Sequence, residues 1–314
     1  MRIFMTGATG FIGTEVAKAL IIRGHEIVGL VRSRESAQKL TALGGRPVMG
    51  DMREPEGWKA EAAAAEALIH LAAIQIRRRG GMSWLRELNT ADVTAIQGLI
   101  EAAKEGSRCK VLIYTSAFLA VGDHGDEWVN EDTSPVPNAR GGAYLAGEKL
   151  ITEAYQEGLP DVILRLGLVY GAGGFFAKMI LGEAAKGKFS YIGSGNNYMS
   201  LISLDDVVDA YVRAVENPPV GKVLNIVDDE PLRMGEMGTI LLNEFGGGKV
   251  SGVPVWVASI LAGRPIAEAM SGSYRVKNDQ AKAVLGWKPR YPTFREGIKD
   301  VLAEFTKRTV KAAA

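Results

Sequence analysis

An α/β fold, a doubly wound parallel sheet with a smaller second lobe, is the class that this sequence predicts, and three observations predict it. The chain starts with a short apolar run, Ile3 to Met5, that ends in three glycines, Gly7, Gly10 and Gly13, and passes directly into a helical pattern over 14–23. Across the first half, apolar runs alternate with amphipathic stretches, the rhythm of βαβ units. After Leu166 that rhythm breaks, and a glycine-rich stretch from Gly171 to Gly174 opens a less regular second half.

The opening stretch has a physical logic. A strand buried on both faces reads as continuous apolar residues. A tight turn at its carboxyl end needs a residue free to take positive φ, which Gly7 supplies. Missing side chains at Gly10 and Gly13 let backbone approach a pyrophosphate. The helix that follows offers unpaired N–H groups and the positive end of its dipole to that anion. Strand, glycines and helix in this order are the context that a dinucleotide-binding turn requires.

The remaining elements follow from periodicity. Strands are expected over 3–6, 26–31, 46–50, 67–72, 110–115 and 162–166, with helices over 14–23, 35–43, 84–105 and 143–156 between them. In the second half, residues 175–186 and 203–216 read as helices, the latter with Asp205 and Asp206 in its first turn. Residues 222–227 read as a strand that returns to the main sheet. The expected division is a nucleotide domain over 1–166 and a substrate lobe built mainly from 167–314.

Composition excludes several functions. The chain has 314 residues, 47% hydrophobic and 23% charged, enough for a large core. Its net charge of +1 provides no general field for nucleic acid or an anionic membrane. Cys109 is the single cysteine, so no internal disulfide forms. The three histidines, His25, His70 and His124, lack metal-ligand spacing, and no metal site is expected. No apolar run reaches the roughly 18 residues of a membrane span. With no leader pattern at the start, a cytoplasmic location is expected.

Thr6-Gly-Ala-Thr-Gly-Phe-Ile-Gly13 resembles the signature of the extended short-chain dehydrogenase/reductase family, and the likeness continues along the chain. It implies cofactor contacts at Gly7, Thr9, Gly10, Phe11, Ile12 and Gly13. Gly50-Asp-Met52 resembles the acidic motif that holds the adenine edge, at Asp51 and Met52. Ile69-His-Leu-Ala-Ala73 resembles the fourth-strand end, where Leu71, Ala72 and Ala73 run beneath the dinucleotide. Asn89 falls where the family places a helix-kinking asparagine.

The end of the second strand selects the cofactor. An acid there would bind the NAD ribose, and a basic residue accommodates a 2′-phosphate. Here the strand ends Val31-Arg-Ser-Arg34, with no acid before Glu35. Arg32, Ser33 and Arg34 therefore favour NADP, with NAD the alternative.

The family's chemistry implies a tyrosine acid/base with a lysine four residues on, beside a serine or threonine that steadies the reacting oxygen. Tyr144 is the candidate, but Glu148 stands four residues later and Lys149 five. At about 100° per residue, a five-residue step lands about 140° off the tyrosine's face. Lys149 and Glu153 keep the lysine-to-glutamate spacing that is common in this helix, so a bulge that returns Lys149 to Tyr144 is expected. The serine position slips too. The stretch Lys110 to Gly122 resembles the dihydroflavonol-reductase and farnesol-dehydrogenase branch, whose serine stands five before the glycine. That count gives Ala117, with Ser116 and Thr115 adjacent as candidates.

The expected activity is NAD(P)-dependent oxidation or reduction of a carbonyl or alcohol carbon in a small-molecule substrate. A nucleotide-sugar epimerase or dehydratase is the rival reading, with Arg264, Arg275 and Arg290 available for a diphosphate. A dinucleotide-binding sensor or scaffold with an impaired site is the third. A homodimer is expected through the helices over 84–105 and 143–156, with Leu88, Ile96, Leu99, Leu150, Ile151 and Ala154 at the interface.

Overall fold

In a computed structural model, residues 1–73 and 81–313 are described. Seven parallel strands form the central sheet: β1 (Arg2–Thr6), β2 (Glu26–Val31), β3 (Arg46–Met49), β4 (Ala67–His70), β5 (Val111–Ala117), β6 (Asp161–Leu166) and β7 (Lys222–Ile226). Their order is β7-β6-β5-β4-β1-β2-β3. The order reverses beside β1, which places a crevice beyond the carboxyl ends of β1 and β4. The Lys222–Ile226 strand pairs with β6 at the sheet edge, 55 residues of chain later.

Each face of the sheet carries helices because each strand alternates its side chains across it. On one face Ile3, Met5, Ile27, Ile113 and Leu164 pack with the Phe11–Ile22 and Leu204–Glu216 helices. On the other, Phe4, Val28, Leu68, Leu112 and Tyr114 pack with the Met82–Glu105 and Ala139–Gln156 helices. Each large apolar side chain removed from water in this way contributes about 1.5–3 kcal/mol. Phe118, Tyr170, Phe176, Met237 and Phe294 centre a separate core under the second half of the chain.

The second half departs from its expected outline. Residues 175–186 form a π-helical stretch, Phe176–Leu181, followed by one α-turn. The apolar run at 253–261 becomes the helix Val255–Ala262, which leaves Trp256, Ile260 and Leu261 exposed. The Ser203 hydroxyl, not either aspartate, caps the Leu204–Glu216 helix by accepting from the Asp206 N–H. Asp206 instead accepts the backbone N–H groups of Arg290 and Tyr291 and ties the chain's last loop to the sheet. Four of the six positions expected at a dimer interface, Ile96, Leu99, Ile151 and Ala154, are buried in the protomer's own core. The period of those helices fits a sheet-facing stripe as well as an intersubunit one, and the sheet takes it. Among the described residues no helix is long and apolar enough to cross a membrane.

Candidate functional site

The first turn closes on backbone. Gly7 sits at φ +75, and a Cβ there would lie 2.7 Å from the Leu71 and Ala72 backbone. β1 and β4 can approach so closely only because that side chain is absent. At Gly13 a Cβ would stand 2.0 Å from the Gly7 carbonyl oxygen, so the helix itself leans on the turn. Gly10 differs: it is exposed, and a Cβ there would meet only the Gly7 carbonyl. Gly10 is also the N-cap of the Phe11–Ile22 helix, with no side-chain cap and no acid in the first turn. The N–H groups near Thr9, Phe11 and Ile12 are therefore left for an anion, and this cradle fits a dinucleotide pyrophosphate. The Phe11 ring lies against the Gly171–Gly174 loop, where side chains at 171, 173 and 174 would collide with it.

Beyond β2, Arg32 and Arg34 are exposed and have no ion-pair partner among the described residues. Glu35 turns away to Lys39, 3.3 Å distant, leaving no acid at the ribose position. The Ser33 hydroxyl caps the Arg34–Ala42 helix, accepting from the Ser36 N–H at 3.1 Å, so its first role is structural. Asp51 is gripped by Arg53, whose Nε and Nη2 donate to it at 3.0 and 2.7 Å. The guanidinium holds that carboxyl down at about 2. The Met52 side chain is buried beside Leu30 and Trp58, so only its backbone can face a ligand. Ala73 follows Ala72 at the crevice, and the sequence from Ile74 to Gly80 lies outside the described residues.

Two polar chains run beneath the Met82–Glu105 and Ala139–Gln156 helices. Register places Thr6, His70 and Tyr114 side by side on β1, β4 and β5. The Ala72 N–H donates to Thr6 Oγ1, and Thr6 Oγ1 lies 2.7 Å from His70 Nδ1. His70 Nε2 is 3.0 Å from Asp92, which also accepts the Tyr114 hydroxyl. With the proton on Nε2 every group in this chain is satisfied, which permits its burial. Asn89, one turn before Asp92, sits within the continuous Met82–Glu105 helix, and its Oδ1 is buried without a hydrogen-bond partner among the described residues.

The second chain overturns an expectation. Register pairs Ser116 with Arg165. Glu148 descends between them, accepting the Ser116 hydroxyl at 2.5 Å and the Arg165 Nε and Nη2 at 2.8 and 2.7 Å. The Glu148 and Arg165 side chains are 7% and 8% exposed. The Ala139–Gln156 helix is regular, with no bulge. Lys149 consequently points to solvent, 76% exposed, with its nitrogen 3.7 Å from Glu153. The Lys149–Glu153 spacing reflects an exposed i,i+4 pair rather than an inserted residue. Glu148 does not sit as a bare charge beneath the phenol either, because the Arg165 fork neutralises it.

The hydroxyl candidates are also committed elsewhere. Thr115 Oγ1 is 2.5 Å from the Tyr211 hydroxyl on the opposite face, and the Ser116 hydroxyl belongs to Glu148. Ala117 keeps the serine's place without its oxygen. Tyr144 is half-buried at the edge of the second core, beside the same cluster as Ala117. Its hydroxyl accepts from Arg140 Nη2 at 3.3 Å. No sequence pattern singled out Arg140, Glu148 with Arg165, or Asp92. The signal available was an arginine four residues before the tyrosine, the lysine's spacing taken backwards along the helix.

Residues 3–227 match the profile of the NAD dependent epimerase/dehydratase family. The chain belongs to that family. An uncharacterized protein of Schizosaccharomyces pombe is 31% identical over 93% of this chain and 96% of its own. The 4-hydroxy-2-methyl-3-oxo-4-farnesyl-3,4-dihydroquinoline-1-oxide ketoreductase of Stigmatella aurantiaca is 27% identical, over 78% of this chain and 74% of that one. The crystal structure of human epimerase family protein SDR39U1 with NADPH superposes with a TM-score of 0.79 at 22% identity, covering 96% of this chain and 99% of that one. The extended short-chain reductase resemblance and the Rossmann-type fold are thus both established. The fold and the glycine cradle are those of a nicotinamide-dinucleotide protein. Among the described residues no cluster of histidine, cysteine and carboxylate side chains is arranged to hold a metal.

Proposed function

We propose that this member of the family is an NADP-dependent reductase of a carbonyl in an apolar small molecule. The observation that carries the cofactor preference is the pair Arg32 and Arg34, exposed at the end of β2 and without an ion-pair partner within 4 Å among the described residues, the nearby carboxylate Asp51 being gripped by Arg53. A 2′-phosphate would gain charge-assisted bonds there, and a 2′-hydroxyl would not. Tyr144 is the proton donor in this reading, since its hydroxyl, unlike those of Thr115 and Ser116, is not consumed by a core hydrogen bond. Apolar substrate is supported by Trp256, Ile260 and Leu261, exposed on one helix of the second half, and by the farnesylated substrate in the name of the Stigmatella aurantiaca relative. Arg264, Arg275 and Arg290 do not support a diphosphate: each is engaged locally, with Glu268, with the Trp128 and Tyr198 rings, and with Asp205. Cytoplasmic location and a homodimer belong to the same proposal.

The test is cofactor binding by calorimetry. NADPH should bind more tightly than NADH, and Arg32→Ala should cost about 1.5–3 kcal/mol of NADPH binding alone, the range for a hydrogen bond to a charged group. Equal affinities of the unmutated protein for both cofactors would refute the NADP assignment.

A further inference from the structure

We propose that Arg140 takes the office of the absent lysine, holding the Tyr144 phenol through proton transfer. The inference rests on the reading of Tyr144 as proton donor.

The geometry is specific. Arg140 lies four residues before Tyr144 in a regular helix, so both project from one face. Its guanidinium carbon is 5.6 Å from the centre of the Tyr144 ring and 5.3 Å from that of Trp84. Nη2 donates to the phenol oxygen at 3.3 Å. Nη1 is buried with no hydrogen-bond partner among the described residues. The helix begins early enough to allow this, since Asn138 caps it by accepting from the N–H groups of Arg140 and Gly141. A guanidinium clamped between two rings loses little further freedom on binding an oxygen, and it cannot deprotonate near neutral pH. The nearest alternative cation by sequence, Lys149, is in solvent, and Arg165 is taken by Glu148.

The step balances. As hydride from NADPH reaches the carbonyl carbon, the phenol O–H bond breaks and its proton passes to the carbonyl oxygen. The negative charge left on the phenol oxygen is held by the guanidinium until water returns a proton. The free Nη1 donor is available to the same oxygen or to the substrate's. Arg140 is a positioning residue: it acts through Tyr144.

Two measurements test this. In the cofactor-free protein, the Arg140 guanidinium NMR signals, assigned by their loss in Arg140→Lys, should move on Tyr144→Phe. Unmoved signals overturn the contact. In NADPH-dependent reduction of ethyl 2-methylacetoacetate, Arg140→Ala should lose about 100-fold in kcat, the low end of general-acid assistance, with KM little changed. Arg140→Lys should recover most of that loss. Millimolar guanidinium should restore Arg140→Ala but not Tyr144→Phe, a rescue that a merely structural arginine would not give. Wild-type kcat in Arg140→Ala beside an inactive Tyr144→Phe overturns Arg140's role and leaves the tyrosine's intact. Wild-type kcat in Tyr144→Phe overturns both.

Discussion

Glu148→Lys would write the family's tyrosine-to-lysine spacing into this helix, and in a regular helix that spacing taken alone would argue a gain of activity. The structure predicts the reverse. Glu148 and Arg165 are each less than a tenth exposed, joined by two hydrogen bonds, with Ser116 on the same carboxylate. Removing one member of a buried ion pair costs about 3–5 kcal/mol, because the other charge stays buried without compensation. Lysine adds a second cation against Arg165 and should do worse than Glu148→Gln. Unfolding entropy of about 2.1 cal/mol/K per residue makes roughly 0.66 kcal/mol/K for a chain of this length, so the neutral variant should melt about 5–8 °C lower. Thermal melts followed by circular dichroism measure this. The control is Glu148→Leu with Arg165→Leu: losing both charges together should be far milder than losing one, since no unpaired charge remains. A Glu148→Lys protein that melts like the wild type and turns over faster would refute this reasoning, and would show that the helix can rotate its lysine onto Tyr144.

Gly13→Ala should abolish cofactor binding and lower stability, since its Cβ would sit 2.0 Å from the Gly7 carbonyl; calorimetry and melting report both. Asp161 is buried, its Oδ1 without a hydrogen-bond partner among the described residues, and burial raises its carboxyl from 3.8 to about 7. A group whose folded pKa is raised adds stability below its unfolded pKa and loses it as pH rises through the folded one, so urea midpoints should fall between pH about 4 and 7 and flatten in Asp161→Asn. Cys109, with its thiol pushed up to about 11 by burial, should react slowly with iodoacetamide at pH about 8 until the protein is denatured. Light scattering at micromolar concentration should report a homodimer, formed by the outer faces of the Met82–Glu105 and Ala139–Gln156 helices.

What the sequence made legible is local. The strand-glycine-helix opening is encoded within 13 consecutive residues, and the positive φ of Gly7 has a reason that a reader can supply before seeing coordinates, whereas the packing of Gly13 on the Gly7 carbonyl shows only in the fold. The βαβ rhythm gave six strands with ends displaced by at most two residues; five of them are buried on both faces and show as apolar runs, while the edge strand Arg46–Met49 is not buried. The partner of Glu148 was not legible. Arg165 lies 17 residues away on the next strand, and only parallel register brings it opposite Ser116. Ser33 illustrates the same limit: its cap on the next helix competes with any ligand, yet a serine beside two arginines reads as a phosphate contact.

Two carboxylates, the half-buried Asp92 and the buried Glu148, explain why the catalytic region departs while the fold does not. Asp92 and Glu148 come from neighbouring helices, and each is answered by the sheet row below it: His70 and Tyr114 for one, Ser116 and Arg165 for the other. Each helix is thereby fixed in rotation about its axis, since a turn of one residue would strand buried partners, the His70 and Tyr114 polar groups under one helix and the Arg165 charge under the other. In the Ala139–Gln156 helix that constraint decides the chemistry. With Glu148 held inward, Lys149 must face out, and the same face that carries Glu148 carries Tyr144 one turn earlier and Arg140 one turn before that. On the proposed reading of Arg140, the charge that a lysine would bring from below the tyrosine comes from above it, while the position below holds the helix to the sheet.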